Sequence, residues 1–320
     1  MDNNLINKLK PYKIVGSGSQ GIIILPSDDK YIVKIYIKNN KNLKMTVKII
    51  QFFIKCKNLP KTIYKSYYIT EKINSINRYI SNNNLPNHFS ISINNEIELE
   101  RLITKYNMKP KLFEVMNNYK ITFNNFIHRL FLENEKNNNR ITNNINILTS
   151  LFFQGIITLL WLTMKKGIIH FDINTSNFFI ESTNDTEFQI EIEDMIYNVP
   201  LYGYYLIISD FGYARSIELL NPSEYESNVR INLESYMMHP WEDTVAFIKI
   251  FRNYLTNVNI SLHDLDINLN ECNKTIIDYT HKEYKNMLLS YYNQNENFKK
   301  NVKIFKKAYF NVIKRHILKE

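Results

Sequence analysis

An uncharged apolar run is the strongest constraint on the fold of this chain. It extends from Ile147 to Met164 and reads ILTSLFFQGIITLLWLTM, which is long enough to cross a membrane as a helix. The run also contains Gln154 and leads directly into a polar segment, a pattern typical of a helix at the centre of a large globular unit. We therefore predict a buried core helix over residues 144–165 and no transmembrane segment.

The composition describes a globular protein. The 320 residues are 44% hydrophobic and 22% charged, which excludes a disordered chain and allows either one large domain or two lobes. The net charge of +9 would suit an anionic partner, but the abundance of Lys accompanies an abundance of Asn and Ile that A/T-rich coding would produce. The charge therefore gives no direct evidence for nucleic acid as a partner.

The cysteines and the N-terminal residues predict an intracellular, cytoplasmic protein. Cys56 and Cys272 are far apart and form no metal or redox motif, so both are predicted to be reduced. The first ten residues, MDNNLINKLK, contain no apolar signal core.

The periodicity of apolar residues predicts an α+β fold with a β-rich front and a helical back. Apolar runs separated by turns over residues 11–37 predict a small antiparallel sheet. Helical spacing then predicts three helices, in KMTVKIIQFFIKC, YITEKINSINRYI and NEIELERLITKY. Two short strands, KLFEVM and YKITF, follow them. We predict a β-rich lobe over residues 1–123 and a helical lobe over residues 124–320, with a loop over the Asn-rich residues 134–146.

A glycine-rich segment near the N-terminus predicts a phosphate-binding loop. It matches G-x-G-x-x-G with Gly16, Ser17, Gly18, Ser19, Gln20 and Gly21. The segment leads into the strand IIIL rather than into a helix, which argues against a dinucleotide-binding fold. Ile23 follows at a position where it could contact a nucleotide base, and Lys34 lies on the next predicted strand, where it could meet the phosphates.

Two further motifs follow in the second half of the chain. His170, Asp172 and Asn177 match H-x-D-x-x-x-x-N, and Asp210 begins D-F-G after a predicted strand. Either Asp alone is explained as a turn or capping residue, but four motifs in this order are far more specific than one. On these motifs, residues 12–250 resemble the eukaryotic-type protein kinase superfamily.

The resemblance implies a two-lobed kinase fold that transfers a phosphoryl group from ATP, with Mg²⁺ or Mn²⁺, to Ser or Thr hydroxyls of a protein substrate. It implies that Lys34 holds the ATP phosphates, that Asp172 accepts or orients the hydroxyl proton beside His170, and that Asn177 and Asp210 hold metal. A monomer is the expected oligomeric state.

In the family, the strand lysine pairs with a helix glutamate. Glu96 and Glu100 are the candidates on NEIELERLITKY. We prefer Glu96, because Leu99 and Ile103 follow it at spacings that place it on the apolar face.

The chain departs from the usual kinase pattern at several points. Phe171 and Asn174 stand where the family usually has Arg and Lys, and no A-P-E follows D-F-G. Residues 39–94 would form a helical insertion, and residues 182–208 would form an inserted β-hairpin. The β-hairpin insertion resembles one in haspin-like kinases and in kinases of large DNA viruses. A viral kinase would be located in the virion or in the infected host cell. Asp243 falls where the family has a helix Asp that holds the catalytic loop.

Two alternative functions remain open. A catalytically weak or inactive pseudokinase that binds nucleotide as a scaffold would account for Phe171 and Asn174. A small-molecule kinase shares H-x-D-x-x-x-x-N but generally lacks the glycine-rich loop and D-F-G together. The basic C-terminal segment, residues 301–320, is predicted to be the closing helix of the large lobe rather than a membrane-surface helix.

Overall fold

The protein contains two compact units. The computed structural model describes residues 13–18, 21–25, 30–37, 43–71, 110–132, 138–216, 218–219, 240–257, 283, 286 and 297–315. The first unit comprises residues 1–59 and 64–119, and the second comprises residues 60–63 and 120–320. Helices and small antiparallel sheets are both present, so the α+β class is confirmed.

A five-stranded antiparallel sheet and one helix form the described part of the first unit. The sheet order is β1-β2-β3-β5-β4. The strands are β1 (Lys13–Gly18), β2 (Gly21–Leu25), β3 (Tyr31–Ile37), β4 (Ser66–Thr70) and β5 (Pro110–Asn117), and helix α1 is Leu43–Lys55.

Apolar side chains join α1 to the sheet. Tyr36, Ile50 and Leu112 form a buried cluster against which Leu43, Val47 and Ile69 pack. Strand β4 corrects part of the sequence prediction, because the start of YITEKINSINRYI was assigned to a helix. Its aromatic and β-branched residues favour a strand wherever a neighbouring strand is available for pairing, and β5 provides that strand.

The second unit combines four helices and seven short strands in its described part. The helices are α2 (Phe123–Leu132), α3 (Asn138–Lys166), α4 (Pro240–Asn257) and α5 (Phe298–Ile313). The strands are β6 (Ile121–Thr122), β7 (Ile168–Ile169), β8 (Phe178–Ser182), β9 (Glu187–Ile192), β10 (Met195–Pro200), β11 (Tyr204–Ile208) and β12 (Arg215–Ser216).

Helix α3 forms the core of the second unit. Its segment Asn143–Lys166 is long and apolar enough to cross a membrane, but 89% of that apolar window is buried within the protein. Gln154 is fully buried because its amide bonds to strand β11, donating to the Tyr204 carbonyl at 3.1 Å and accepting from the Leu206 N–H at 2.9 Å. The predicted buried helix is therefore confirmed.

The start of α3 corrects the predicted loop over residues 134–146. The helix begins at Asn138, so most of this Asn-rich segment is helical. Asparagine is a poor helix former only by a fraction of a kcal/mol. The buried Asn144 side chain, which donates to the Leu130 carbonyl at 2.9 Å, attaches this end of α3 to α2.

The β9–β10 hairpin and α5 also pack in the second unit. Alternate residues of the hairpin are buried, and Tyr197 contacts Phe310 of α5 with ring centroids 6.5 Å apart. On α5, Phe305 and Tyr309 are buried, and Lys306 donates to the Met164 carbonyl at 2.7 Å and pairs with Glu218. The described part of the basic C-terminal segment therefore packs as a core helix.

We expect Gly155→Ala to destabilise the second unit. A methyl group at Gly155 would overlap the fully buried Phe247 ring of α4, and overpacking of this kind costs about 1–3 kcal/mol. Because three atoms of the ring would be overlapped, we expect the upper part of this range, which exceeds the ~1 kcal/mol that alanine gains over glycine in a helix. Urea unfolding measures the difference. The double variant Gly155→Ala/Phe247→Leu should recover stability, and an equally stable Gly155→Ala would contradict this packing.

Candidate functional site

The glycine-rich segment forms the turn between the first two strands. Gly16, Ser17 and Gly18 end β1, Gly21 begins β2, and Gly18 pairs with Gly21. Ser19 and Gln20 lie outside the described residues. A side chain at Gly21 would overlap the Ile35 carbonyl oxygen of β3, so glycine is required there for close approach of two strands. A strand on each side of the turn excludes the dinucleotide-binding geometry.

Lys34 lies inside the first unit rather than on its surface. It is 5% exposed, and its Nζ lies 4.8 Å from the centroid of the Tyr36 ring. In the sheet register, Lys34 lies directly opposite Ile23 of β2 on one side and Glu114 of β5 on the other. Residues directly opposite each other project from the same face of a sheet, so Lys34 and Glu114 share a face.

Glu114 is an acidic residue that the sequence analysis did not identify. It is fully buried, and its carboxylate accepts hydrogen bonds from the Tyr36 hydroxyl at 2.7 Å, the Tyr64 hydroxyl at 2.7 Å and the Ser66 hydroxyl. Burial raises the pKa of Glu114 above its usual value, while these three hydrogen bonds and the charge of Lys34 act in the opposite direction. In the sequence, the signal that could have identified Glu114 was its place as the single acidic residue in the predicted strand KLFEVM.

The raised pKa predicts how Glu114 affects stability as pH changes. A carboxyl group with a raised folded-state pKa contributes most below its unfolded pKa, about 4.3, and loses that contribution as the pH rises through the folded-state pKa. We therefore expect the wild type to lose stability relative to Glu114→Gln across this interval, by ~1.4 kcal/mol for each unit of elevation. Urea unfolding of both proteins from pH 4 upward tests this, with an increase in the relative stability of the wild type as the opposite result.

In the second unit, Asp243 anchors the loop that follows β7. Its two carboxylate oxygens accept the backbone N–H groups of His170 at 2.5 Å and Phe171 at 2.9 Å. Asp243 lies in the first turn of α4 and is 6% exposed. Phe171 has a φ of 64°, which is rare for an aromatic residue and persists only where surrounding contacts hold it. The two hydrogen bonds to Asp243 supply such contacts.

The buried His170 ring connects this loop to the end of β11. Its Nδ1 accepts the Asp172 N–H at 3.2 Å, so the proton is on Nε2, which donates to the Ser209 carbonyl at 2.8 Å. The ring also contacts the fully buried Phe211 ring, with centroids 4.6 Å apart. His170 is therefore a positioning residue that fixes the backbone on both sides of the site.

The carboxylate of Asp172 is oriented by two asparagine side chains. Asn174 Nδ2 donates to Asp172 Oδ1 at 2.8 Å, and Asn177 Nδ2 donates to Asp172 Oδ2 at 3.0 Å. Both amides also donate to the Asp172 carbonyl, at 3.1 and 2.8 Å. A half-buried carboxylate held in this way presents a fixed acceptor for a proton from an approaching hydroxyl.

Asp210 lies next to this loop. Ser209 donates to the Asn177 carbonyl from both its backbone N–H and its hydroxyl, each at 2.9 Å, so the residue before Asp210 is attached to the 3-10 turn Thr175–Asn177. Asp210 has a φ of 61°, and its Oδ1 accepts the Gly212 N–H at 3.2 Å. These contacts bring together His170, Asp172, Asn177 and Asp210 within the second unit.

The side-chain oxygen atoms of Asn177 and Asp210 are suitable ligands for magnesium. Both hydrogens of the Asn177 amide are used by Asp172, which leaves the Oδ1 atom of this 6% exposed side chain without a hydrogen bond to any described residue. Within the described ranges, no group of three His, Cys, Asp or Glu side chains could hold a metal alone. Magnesium commonly takes one or two protein oxygens and completes its shell with phosphate and water, so two protein ligands suffice.

Asn174 has a structural role that the sequence did not indicate. Asn174 caps the 3-10 turn by accepting the Ser176 N–H at 3.0 Å, in addition to its bonds to Asp172. A lysine at this position could not accept that bond.

The predicted glutamate partners of Lys34, Glu96 and Glu100, lie outside the described residues. Helix α1, which lies between β3 and β4, contains no acidic residue.

The chain is similar in part to a viral protein. No protein-family model matches the chain. A segment of 135 residues is 27% identical to Uncharacterized protein 098R of Invertebrate iridescent virus 6. The match covers 41% of this chain and 22% of that protein, so it spans well under two thirds of either. The name of that viral protein states no activity.

Proposed function

We propose that this protein is a kinase that transfers the γ-phosphoryl group of ATP to Ser or Thr hydroxyls of protein substrates. The observation that carries the proposal is the orientation of the Asp172 carboxylate by Asn174 and Asn177, next to Asp210. Phosphoryl transfer needs positioning and charge stabilisation more than covalent participation by the protein, and this loop offers a fixed proton acceptor beside two oxygen ligands.

Two features of the fold support the same proposal. One unit contains a five-stranded sheet with a glycine turn and a buried lysine, and the other is mainly helical and contains the loop. This is the division of secondary structure that the kinase resemblance implies, and we propose the two-lobed kinase fold on this basis. Asp243 holds the loop backbone from α4, at the position that the resemblance implies.

In the proposed reaction, the substrate hydroxyl oxygen forms a bond to the γ-phosphorus while the bond between that phosphorus and the β-phosphate oxygen breaks. The hydroxyl proton passes to the carboxylate of Asp172, and ADP leaves. Lys34 and the backbone of the glycine turn would hold the ATP phosphates. Magnesium, held by Asp210 and Asn177, would neutralise phosphate charge.

Label transfer tests this function. Purified protein is incubated with Mg·[γ-³²P]ATP and a mixture of proteins, and the labelled protein is hydrolysed to identify phosphoamino acids. Label on serine or threonine is expected. Label on small molecules alone would support the small-molecule kinase and contradict the proposal.

A nucleotide-binding pseudokinase is the second candidate. The Asn174 side chain is fully engaged by Asp172 and Ser176, and it replaces a cation that would otherwise lie near the γ-phosphate. Mg·ATP would then raise the melting temperature, because a ligand that binds the folded state stabilises it, but no label would be transferred.

A further inference from the structure

Lys34 and Glu114 are the buried charged residues in the described part of the first unit. Lys34 is 5% exposed and Glu114 is fully buried, and they are directly opposite in the register of β3 and β5. A buried charge is costly unless a partner of opposite sign and hydrogen bonds compensate it. Because directly opposite residues of neighbouring strands project from the same face, the register places the two side chains side by side, where the charge of Lys34 favours the ionised form of Glu114.

The carboxylate of Glu114 has fixed hydrogen-bond donors on both oxygens. Tyr64 and Ser66 donate to Oε1, and Tyr36 donates to Oε2. A hydroxyl that donates to a carboxylate stabilises its charged form and sets its orientation. Three donors from β3, β4 and the segment before β4 therefore hold Glu114 in one position.

Tyr36 connects the acid to the lysine. Its hydroxyl donates to Glu114, and its ring lies 4.8 Å from the Lys34 Nζ, which places the ammonium group within cation–π distance. One side chain thus contacts both charges.

We propose that Glu114, held by Tyr36, Tyr64 and Ser66, is an acidic residue that positions the Lys34 ammonium for the nucleotide phosphates. The assignment rests on the proposed function for the role of Lys34 toward phosphate, whereas the pairing itself is a property of the first unit. Glu114 is a positioning residue that acts through Lys34.

The pairing is tested by titration of the Glu114 carboxyl in ¹³C-glutamate-labelled protein by NMR. Lys34→Met removes the positive charge and should raise the pKa of Glu114 by about one unit or more. The matched control is Lys55→Met at the exposed end of α1, which should leave the Glu114 pKa unchanged. An unchanged Glu114 pKa in Lys34→Met overturns the pairing, and this titration requires no variant at Glu114.

The positioning role is tested by kinetics. Glu114→Gln should lower kcat/KM for Mg·ATP by about 10- to 100-fold, because a displaced phosphate-binding group loses its alignment. Glu114→Asp should recover part of the loss, and the control Glu71→Gln, at the exposed residue that follows β4, should match the wild type. If Glu96→Gln or Glu100→Gln causes the loss while Glu114→Gln matches the wild type, the assignment is wrong.

The two arms separate failure of this inference from failure of the proposed function. A wild type that transfers no phosphoryl group while Lys34→Met raises the Glu114 pKa would leave the pairing intact and overturn the kinase function. If the wild type transfers phosphoryl groups and Lys34→Met leaves the Glu114 pKa unchanged, the pairing alone would be overturned.

Discussion

Replacement of Asp172 by asparagine is expected to reduce phosphoryl transfer by about 10²- to 10⁴-fold, the usual contribution of a positioned acid or base. The amide cannot accept the hydroxyl proton. In the variant, the new NH₂ group faces the amide of Asn174 or Asn177, which in the wild type donates to the carboxylate. This loss should cost only ~1 kcal/mol of stability, because the residue is partly exposed. Initial rates of label transfer at saturating Mg·ATP measure the effect.

Asp194→Asn is the matched control for this variant. Asp194 lies in the exposed turn of the β9–β10 hairpin with a φ of 63°, a conformation that asparagine adopts readily. It should transfer label at the wild-type rate and unfold at the wild-type urea concentration. If Asp172→Asn unfolds at a much lower concentration, the loss of activity would reflect folding and not proton transfer.

Replacement of Asp243 by alanine is expected to lower the free energy of unfolding by about 3 kcal/mol. The change leaves the backbone N–H groups of His170 and Phe171 without their acceptor, and a buried donor without a partner costs about 1–3 kcal/mol. It also frees Phe171 from the contacts that hold its positive φ. Urea unfolding and label transfer should both show a loss.

The conservative variant Asp243→Asn distinguishes the hydrogen bonds from the other contacts of this side chain. The amide keeps one of the two acceptor oxygens and places an NH₂ donor where the other oxygen accepts an N–H, so its stability should fall between those of wild type and Asp243→Ala. Equal stability of all three proteins would show that Asp243 does not anchor the loop in solution.

The local part of the candidate site could be predicted from the sequence. His170, Asp172 and Asn177 lie within one short segment, and their spacing fixes which side chains can meet. Helix α3 could also be predicted, because its apolar residues have no alternative but burial.

The contacts that depend on distant pairing could not be predicted. Glu114 meets Lys34 only because β3 and β5 align in one register, which no local pattern specifies. The capping role of Asn174 depends in the same way on the turn that it caps, which its place in the sequence motif does not specify. The Asn-rich start of α3 was predicted as loop because composition weighed against a helix that tertiary packing stabilises.

The most direct test of the central claim compares wild type and Asp172→Asn at Mg·ATP concentrations that raise the melting temperature of both proteins equally. Under these conditions nucleotide binding is matched, and only the transfer step differs. We expect the wild type to label protein serine or threonine, and we expect Asp172→Asn to transfer label at a rate lower by about 10²-fold or more. No transfer by wild type, or equal transfer by the two proteins, would contradict it.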